Sequence, residues 1–256
     1  YAQLAHMYAL QGDVTNAQTA ALKAVSLDDS LADAHAELGY IRMFLQYDMT
    51  SAAAELNRAV TLDPRSSRAH DYLQYLYGWT ERPADALAEA RQATQLDPLS
   101  VENSAGLAGA LLGDRRYDEA LALITKLREV RPELGRLPDL AVHYYMAKGM
   151  WPEAIAELGG KDAEPSGALG RILAVTGHRA DARRMLRELI GDDQRNGGGA
   201  FDVAMVYEGL GDYEQAIAWL DKSIDEHVLG HYLMSPAYDH LRADPRFERI
   251  RRRVNR

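Results

Sequence analysis

The sequence contains no cysteine, an absence that excludes a disulfide framework, thiolate metal sites and thiol redox chemistry. Phenylalanine is nearly missing, with 3 residues in 256, and β-branched residues are sparse, so little in the composition favours strands. No run approaches the roughly 18 to 20 apolar residues of a bilayer-spanning helix, and no basic-then-apolar leader opens the chain, which reads as soluble. A net charge of -9 repels polyanions and disfavours non-specific contact with nucleic acid or anionic membrane. The exception is local: seven arginines lie between Arg242 and Arg256, against Asp244 and Glu248.

What is present forms helices. Ala, Leu, Glu, Arg and Asp dominate, and 47% apolar residues in a chain of this length can bury a core, so an all-α fold is expected. A small alanine that follows a turn recurs at Ala17, Ala52, Ala86, Ala120, Ala154, Ala182 and Ala216, with steps of 35, 34, 34, 34, 28 and 34. Gly12, Gly149, Gly177 and Gly211 each precede their alanine by five residues, and Leu27-Asp28-Asp29, Leu62-Asp63-Pro64, Leu96-Asp97-Pro98 and Arg131-Pro132 follow the first four. Upstream, Leu4, Leu38, Leu73, Leu107, Leu169 and Val203 occupy matching positions. Two short helices joined by a tight turn cannot each bury an apolar stripe alone. Small residues at their crossing let them approach, and the remaining stripe packs on the next pair. Proline stops the second helix because it lacks the N–H and restricts its predecessor. Asp13, Asp29 and Ser66 are expected to cap helix starts.

This pattern resembles the tetratricopeptide repeat, W-x2-L-G-x2-Y, then A-x3-F, then P. Leu38-Gly39 and Leu169-Gly170 match its Leu-Gly pair, and Tyr8, Tyr77, Tyr145 and Tyr207 fill its tyrosine slot. The aromatic after the key alanine is replaced by Ala21, Leu56, Ala90, Ile124, Leu158, Leu186 and Leu220. The resemblance implies a right-handed superhelical α-solenoid of about seven helix pairs with a C-terminal capping helix. The expected division is five repeats over 1–158, an irregular sixth with a glycine-rich link over 159–198, a seventh over 199–228 and a cap over 229–256. Tyr1 falls inside the first turn of a repeat, so the chain reads as a piece of a longer one.

The closing segment LRADPRFERIRRRV, Leu241 to Val254, is similar to the end of repeat arrays in bacterial signalling proteins, as is the Gln46-Tyr47-Asp48 turn. In those proteins the array follows a winged-helix domain, a class III nucleotide cyclase or a serine/threonine kinase. The resemblance implies a non-catalytic interaction scaffold that is the regulatory or sensory arm of a larger protein. The alternative is the regulatory segment of an enzyme whose catalytic domain lies upstream. The cytoplasm is the expected compartment, with the periplasm as the alternative.

Chemistry is mostly absent from the sequence. Gly159-Gly160 and Gly197-Gly198-Gly199 lack phosphate-loop spacing and read as linkers, and neither a G-x-S-x-G elbow nor H-E-x2-H occurs. His227 and His231 have metal-like spacing, but Gly230 lies between them and no third ligand is fixed nearby. His35 and His70 occupy the repeat's tryptophan slot and are expected to pack between neighbouring pairs. Asp28-Asp29 and Asp192-Asp193 read as caps at helix ends. The arginine tail reads as cations complementing a helix C-terminus, with only Phe247 available for base stacking. No cofactor, metal or catalytic residue is expected.

In the family the first helices line a concave groove. Carried over to this chain, that face holds His6, Tyr40, Met43, Asp71, Tyr75, Trp79, Asp139, His143, Met146, Arg171, Phe201 and Met205. Tyrosine, tryptophan and methionine favour interfaces, whereas Asp71 and Asp139 oppose a terminal carboxylate, so the expected ligand is a protein or peptide with apolar anchors. Tyr40 and Tyr75 could equally pack on the next repeat. Direct nucleic-acid binding and membrane insertion are not expected, and Leu4 and Tyr8 on the first helix leave self-association open.

Overall fold

The structure is a computed structural model that describes residues 1–160, 163–226 and 236–254. Its described residues form fifteen α-helices and one 3-10 helix, with no strand among them. They divide into two compact units, Tyr1–Pro132 and Glu133–Arg253.

The first unit contains four helix pairs: α1 (Ala2–Leu10) with α2 (Val14–Leu27), α3 (Ala32–Phe44) with α4 (Met49–Leu62), α5 (Ser67–Trp79) with α6 (Pro83–Leu96), and α7 (Val101–Gly113) with α8 (Tyr117–Val130). The second contains three more: α9 (Leu137–Ala147) with α10 (Trp151–Glu157), α11 (Gly167–Val175) with α12 (Arg179–Asn196), and α13 (Ala200–Leu210) with α14 (Tyr213–Asp225). A 3-10 helix (Pro236–Leu241) and α15 (Pro245–Val254) follow. These seven pairs are the expected α-solenoid units, and each of the seven periodic alanines lies on a second helix with at most 2% of its surface exposed. A methyl group is all that the crossing admits.

The turn inside each pair has one shape. The residue five before the key alanine adopts φ between 55° and 91° in all seven cases: Gly12, Tyr47, Glu81, Arg115, Gly149, Gly177 and Gly211. Glycine enters this left-handed region freely, and the three other residues enter at a steric cost that the pair's packing covers.

The ends of the helices follow from local chemistry. Asp13, Asp48, Ser66, Ser100, Ser166 and Asp212 each accept a hydrogen bond from the N–H three residues on, filling an orphan donor of the first turn. Leu27, Leu62 and Leu96 close α2, α4 and α6. The next aspartate turns back, with Asp28, Asp63 and Asp97 accepting from the N–H of Ser30, Arg65 and Leu99 at 2.9, 2.9 and 3.3 Å. Asp29 is not a cap: α3 starts from Leu31 without a side-chain bond, because Asp28 has already taken the turn.

His35 and His70 are buried and carry polar bonds besides their packing. Each ring donates Nε2–H to a carbonyl of the loop that leads from the preceding pair (Asp29 at 3.0 Å, Pro64 at 3.1 Å) and meets a carboxylate of its own pair's second helix, Glu55 or Glu89, through Nδ1. A tryptophan there would fill space, whereas histidine ties loop to helix.

Helices approach closely both inside a pair and, in the second unit, between pairs. In α3 a Cβ on Gly39 would meet Leu56 side-chain carbons at 2.6 and 2.7 Å; in α11 a Cβ on Gly167 would meet the Asp202 backbone at 2.5 Å, and one on Gly170 would meet Val206 at 2.5 Å. The family's Leu-Gly glycine therefore serves two contacts, one inside a pair at Gly39 and one to the next pair at Gly170.

Buried carboxylates reinforce the stacking. Glu37 of α3, with none of its side chain exposed, joins three first helices by pairing with His6 of α1 at 3.0 Å and Arg68 of α5 at 2.9 Å, with the Tyr72 hydroxyl at 3.4 Å. Burial pushes its carboxyl above the usual range despite the His6 and Arg68 charges. In the second unit Glu208 pairs with Arg171, and Asp193 with Lys222.

Asp202 gives a pH test. Its Oδ1 accepts from the N–H of Gly167 at 2.9 Å, and burial pushes its pKa up against that bond. A raised folded-state pKa means stability that is present below the ordinary aspartate range and lost as pH rises through the folded value. Asp202→Asn keeps the acceptor and removes the charge. Thermal melts at acid and neutral pH are expected to show the wild type at its best relative to the variant in acid, losing ground to it at neutrality. A gap that widens in favour of the wild type with rising pH would contradict this.

Candidate protein-binding surface

All twelve residues of the expected groove lie on first helices, His6 on α1, Tyr40 and Met43 on α3, Asp71, Tyr75 and Trp79 on α5, Asp139, His143 and Met146 on α9, Arg171 on α11, and Phe201 and Met205 on α13. The first six belong to one compact unit and the other six to the second. Their exposure separates them. Met43, Trp79, Phe201 and Met205 are core residues and present almost nothing to a partner. Tyr40, Asp71, Tyr75, His143, Met146 and Arg171 are half-buried, and Asp139 is exposed. Arg171 is committed to Glu208. Burial pushes the His143 imidazole down, against the pull of Asp139.

In the first unit the aromatic members join into one cluster. Tyr40 lies 4.6 Å from Phe44 and 4.8 Å from Tyr72 between ring centroids. Phe44 lies 5.6 Å from Tyr75 and 4.8 Å from Trp79, both edge-on, and Tyr47 stacks on Trp79 at 5.8 Å. Trp79 and Tyr72 are buried and anchor the cluster, while Tyr40, Phe44, Tyr47 and Tyr75 are half-buried and form its outer layer. Tyr40 therefore packs on the next repeat and still shows one side. Burial is the main cause that raises the Tyr40 and Tyr47 hydroxyls above the ordinary tyrosine range, so both rings stay neutral donors.

Phe44 and Tyr47 are missing from the residues expected on sequence grounds. The signal was available for Phe44: Tyr40 and Phe44 stand four apart, and Tyr75 and Trp79 repeat that spacing 35 residues later, a pair of aromatic ridges on adjacent first helices. Tyr47 could not be found that way, since its position depends on the left-handed turn.

The arginines of the C-terminal helix are largely engaged locally. Arg253 pairs with Asp221 and Asp225 of α14 at 2.5 and 2.6 Å, Arg251 and Arg252 pair with Glu248, and Arg246 pairs with Asp244. The His227/His231 pair lies outside the described residues. Among the described residues no group of three or more His, Asp or Glu has the arrangement of a metal site, and no helix is long and apolar enough to cross a membrane.

Comparison with known proteins agrees with this geometry. A tetratricopeptide repeat signature matches residues 80–132 and 168–227, and a second tetratricopeptide signature matches 1–31. No curated protein matches the chain. Among solved structures, a tetratricopeptide repeat protein from Parabacteroides merdae aligns with a TM-score of 0.62 at 16% identity over 80% of this chain and 82% of its own. PilW, a widely conserved type IV pilus biogenesis factor, aligns with a TM-score of 0.61 at 18% identity over 80% of this chain and 95% of its own. At such identities the likeness speaks to fold alone. Seven helix pairs with a buried alanine at each crossing, a left-handed residue in each turn and family signatures in both compact units make this chain a member of the tetratricopeptide repeat family.

Proposed function

We infer that the chain is a protein–protein interaction scaffold without chemistry of its own, and that a partner docks on the aromatic face of α3 and α5. The observation that carries this is the outer layer of Tyr40, Phe44, Tyr47 and Tyr75, held in place by the buried Trp79 and Tyr72. Rigid aromatic rings lose little entropy on binding and supply large contact areas, which is why anchors of interfaces are so often aromatic. A helical or extended peptide with apolar side chains fits such a face. The resemblance of the closing segment supports reading the array as the regulatory or sensory arm of a larger bacterial signalling or transcription-regulatory protein.

The test is affinity capture with the full chain, comparing wild type with Tyr75→Ala and with Phe44→Ala after circular dichroism has shown that both remain helical. Each change is expected to weaken retention of the partner by about tenfold or more, the range of an aromatic anchor. Equal recovery of every retained protein by all three would reject the aromatic face as the docking surface. Trp79 is unsuited to this experiment because it is a core residue.

A further inference from the structure

A second surface, independent of the aromatic one, lies in the second unit. Helix α12, the turn after α13 and the start of α14 enclose an open groove of about 750 Å³. Arg179, Arg183 and Arg187 run along one wall at intervals of four residues, about 6 Å apart along the helix axis. Leu186, Ile190 and Leu210 supply apolar lining, with Tyr207 and Tyr213 among the lining residues. Tyr213, 45% exposed, also packs against His240 at 4.4 Å.

The charges in this groove are unevenly satisfied. On the same helix Arg184 pairs with Asp181 and Arg195 with Asp192, and Arg179 donates to the carbonyl of Leu210 at 2.7 Å. Arg183 and Arg187 are exposed and form no hydrogen bond or ion pair among the described residues. The acids of the opposite wall are used elsewhere: Asp212 caps α14, and Glu214 acts electrostatically on Arg246. Two uncommitted guanidinium groups one helical turn apart, beside an apolar lining, match carboxylates at the same spacing beside an apolar anchor.

We propose that the α12–α14 groove binds an acidic segment of a partner protein, a helix carrying carboxylates four residues apart that meet Arg183 and Arg187 while an aliphatic side chain enters the groove between Ile190 and Leu210. Nucleic acid fits less well. Two cations give few phosphate contacts, and a net charge of -9 repels a polyanion more strongly than a segment that brings two carboxylates to the groove.

The experiment uses the full chain and a short blocked helical peptide with glutamates four apart and a leucine between them, followed by fluorescence anisotropy at low and high salt. The expected result is saturable binding that weakens with salt, at least about tenfold weaker binding of the glutamine counterpart, and a similar loss in the Arg183→Glu, Arg187→Glu double variant. Arg184→Glu, on the same helix but outside the groove, is expected to bind as wild type. The proposal is overturned if the peptide does not bind, if the glutamine peptide binds equally, if the double variant binds as wild type, or if single-stranded DNA is retained through these arginines and the peptide is not.

Discussion

Replacing Phe247 by alanine is expected to destabilise the second unit by about 3 to 5 kcal/mol, the range for deleting a buried aromatic ring. The ring is wholly buried on α15, with Tyr238 at 6.2 Å and Tyr238 in turn 6.4 Å from Phe201 of α13, and Leu241 and Ile250 are buried as well. Arg253 clamps the same helix to α14. The 3-10 helix and α15 thus add buried apolar and ionic contacts to α13 and α14. Urea unfolding should show the loss, and amide exchange should place it in α13 and α14, with α1 to α8 unaffected. A change below about 1 kcal/mol, typical of surface positions, would show that the terminal helix is an appendage.

Leu56→Ala is expected to cost about 2 to 5 kcal/mol, since a fully buried leucine would leave a cavity between α3 and α4. Gly39→Ala alone is expected to cost about 1 to 3 kcal/mol, because its methyl group would sit 2.6 Å from a carbon of Leu56. The two should not add. With Leu56 shortened, the methyl group introduced by Gly39→Ala enters the vacated space, and alanine also gains roughly 1 kcal/mol over glycine in a helix interior. The double variant is therefore expected to be more stable than the sum of the single losses predicts, by an interaction energy of about 1 kcal/mol or more in a denaturation cycle. Strict additivity would mean that Gly39 is there for some reason other than the bulk of Leu56.

Some of the molecule was legible without coordinates. The alanine period located all seven second helices, because a crossing that admits only a methyl group leaves its mark in sequence wherever it occurs. The aspartate after each closing leucine marked the ends of α2, α4 and α6, since a carboxylate folding back on the N–H two residues on is a local event. The left-handed turn was half legible. Four glycines announced it, while Tyr47, Glu81 and Arg115 adopt the same angle without a chemical sign.

The candidate site was less legible. Family position named Met43, Trp79, Phe201 and Met205 as groove residues, and all four are core. Position along a first helix says which face a side chain leaves from, but a few degrees of rotation and the bulk of the neighbouring pair decide whether it reaches solvent. His35 and His70 show the same limit: their slot was recognised, yet loop carbonyls and Glu55 and Glu89 turned a packing position into a polar tie. The arginines of the α12 groove stand four apart in the sequence, but the groove itself was not legible, because its walls come from three helices whose approach no spacing encodes.

The sequence by itself determined the helices, their pairing and their repeat, because propensity, capping and small-residue crossings act over a few residues or one fixed period. Tertiary structure alone decided which aromatics stay exposed beside α3 and α5, which carboxylates are buried between pairs, and which arginines of α12 go without a partner. Exposure and charge pairing depend on atoms brought together from different repeats, and only the packed chain specifies those distances.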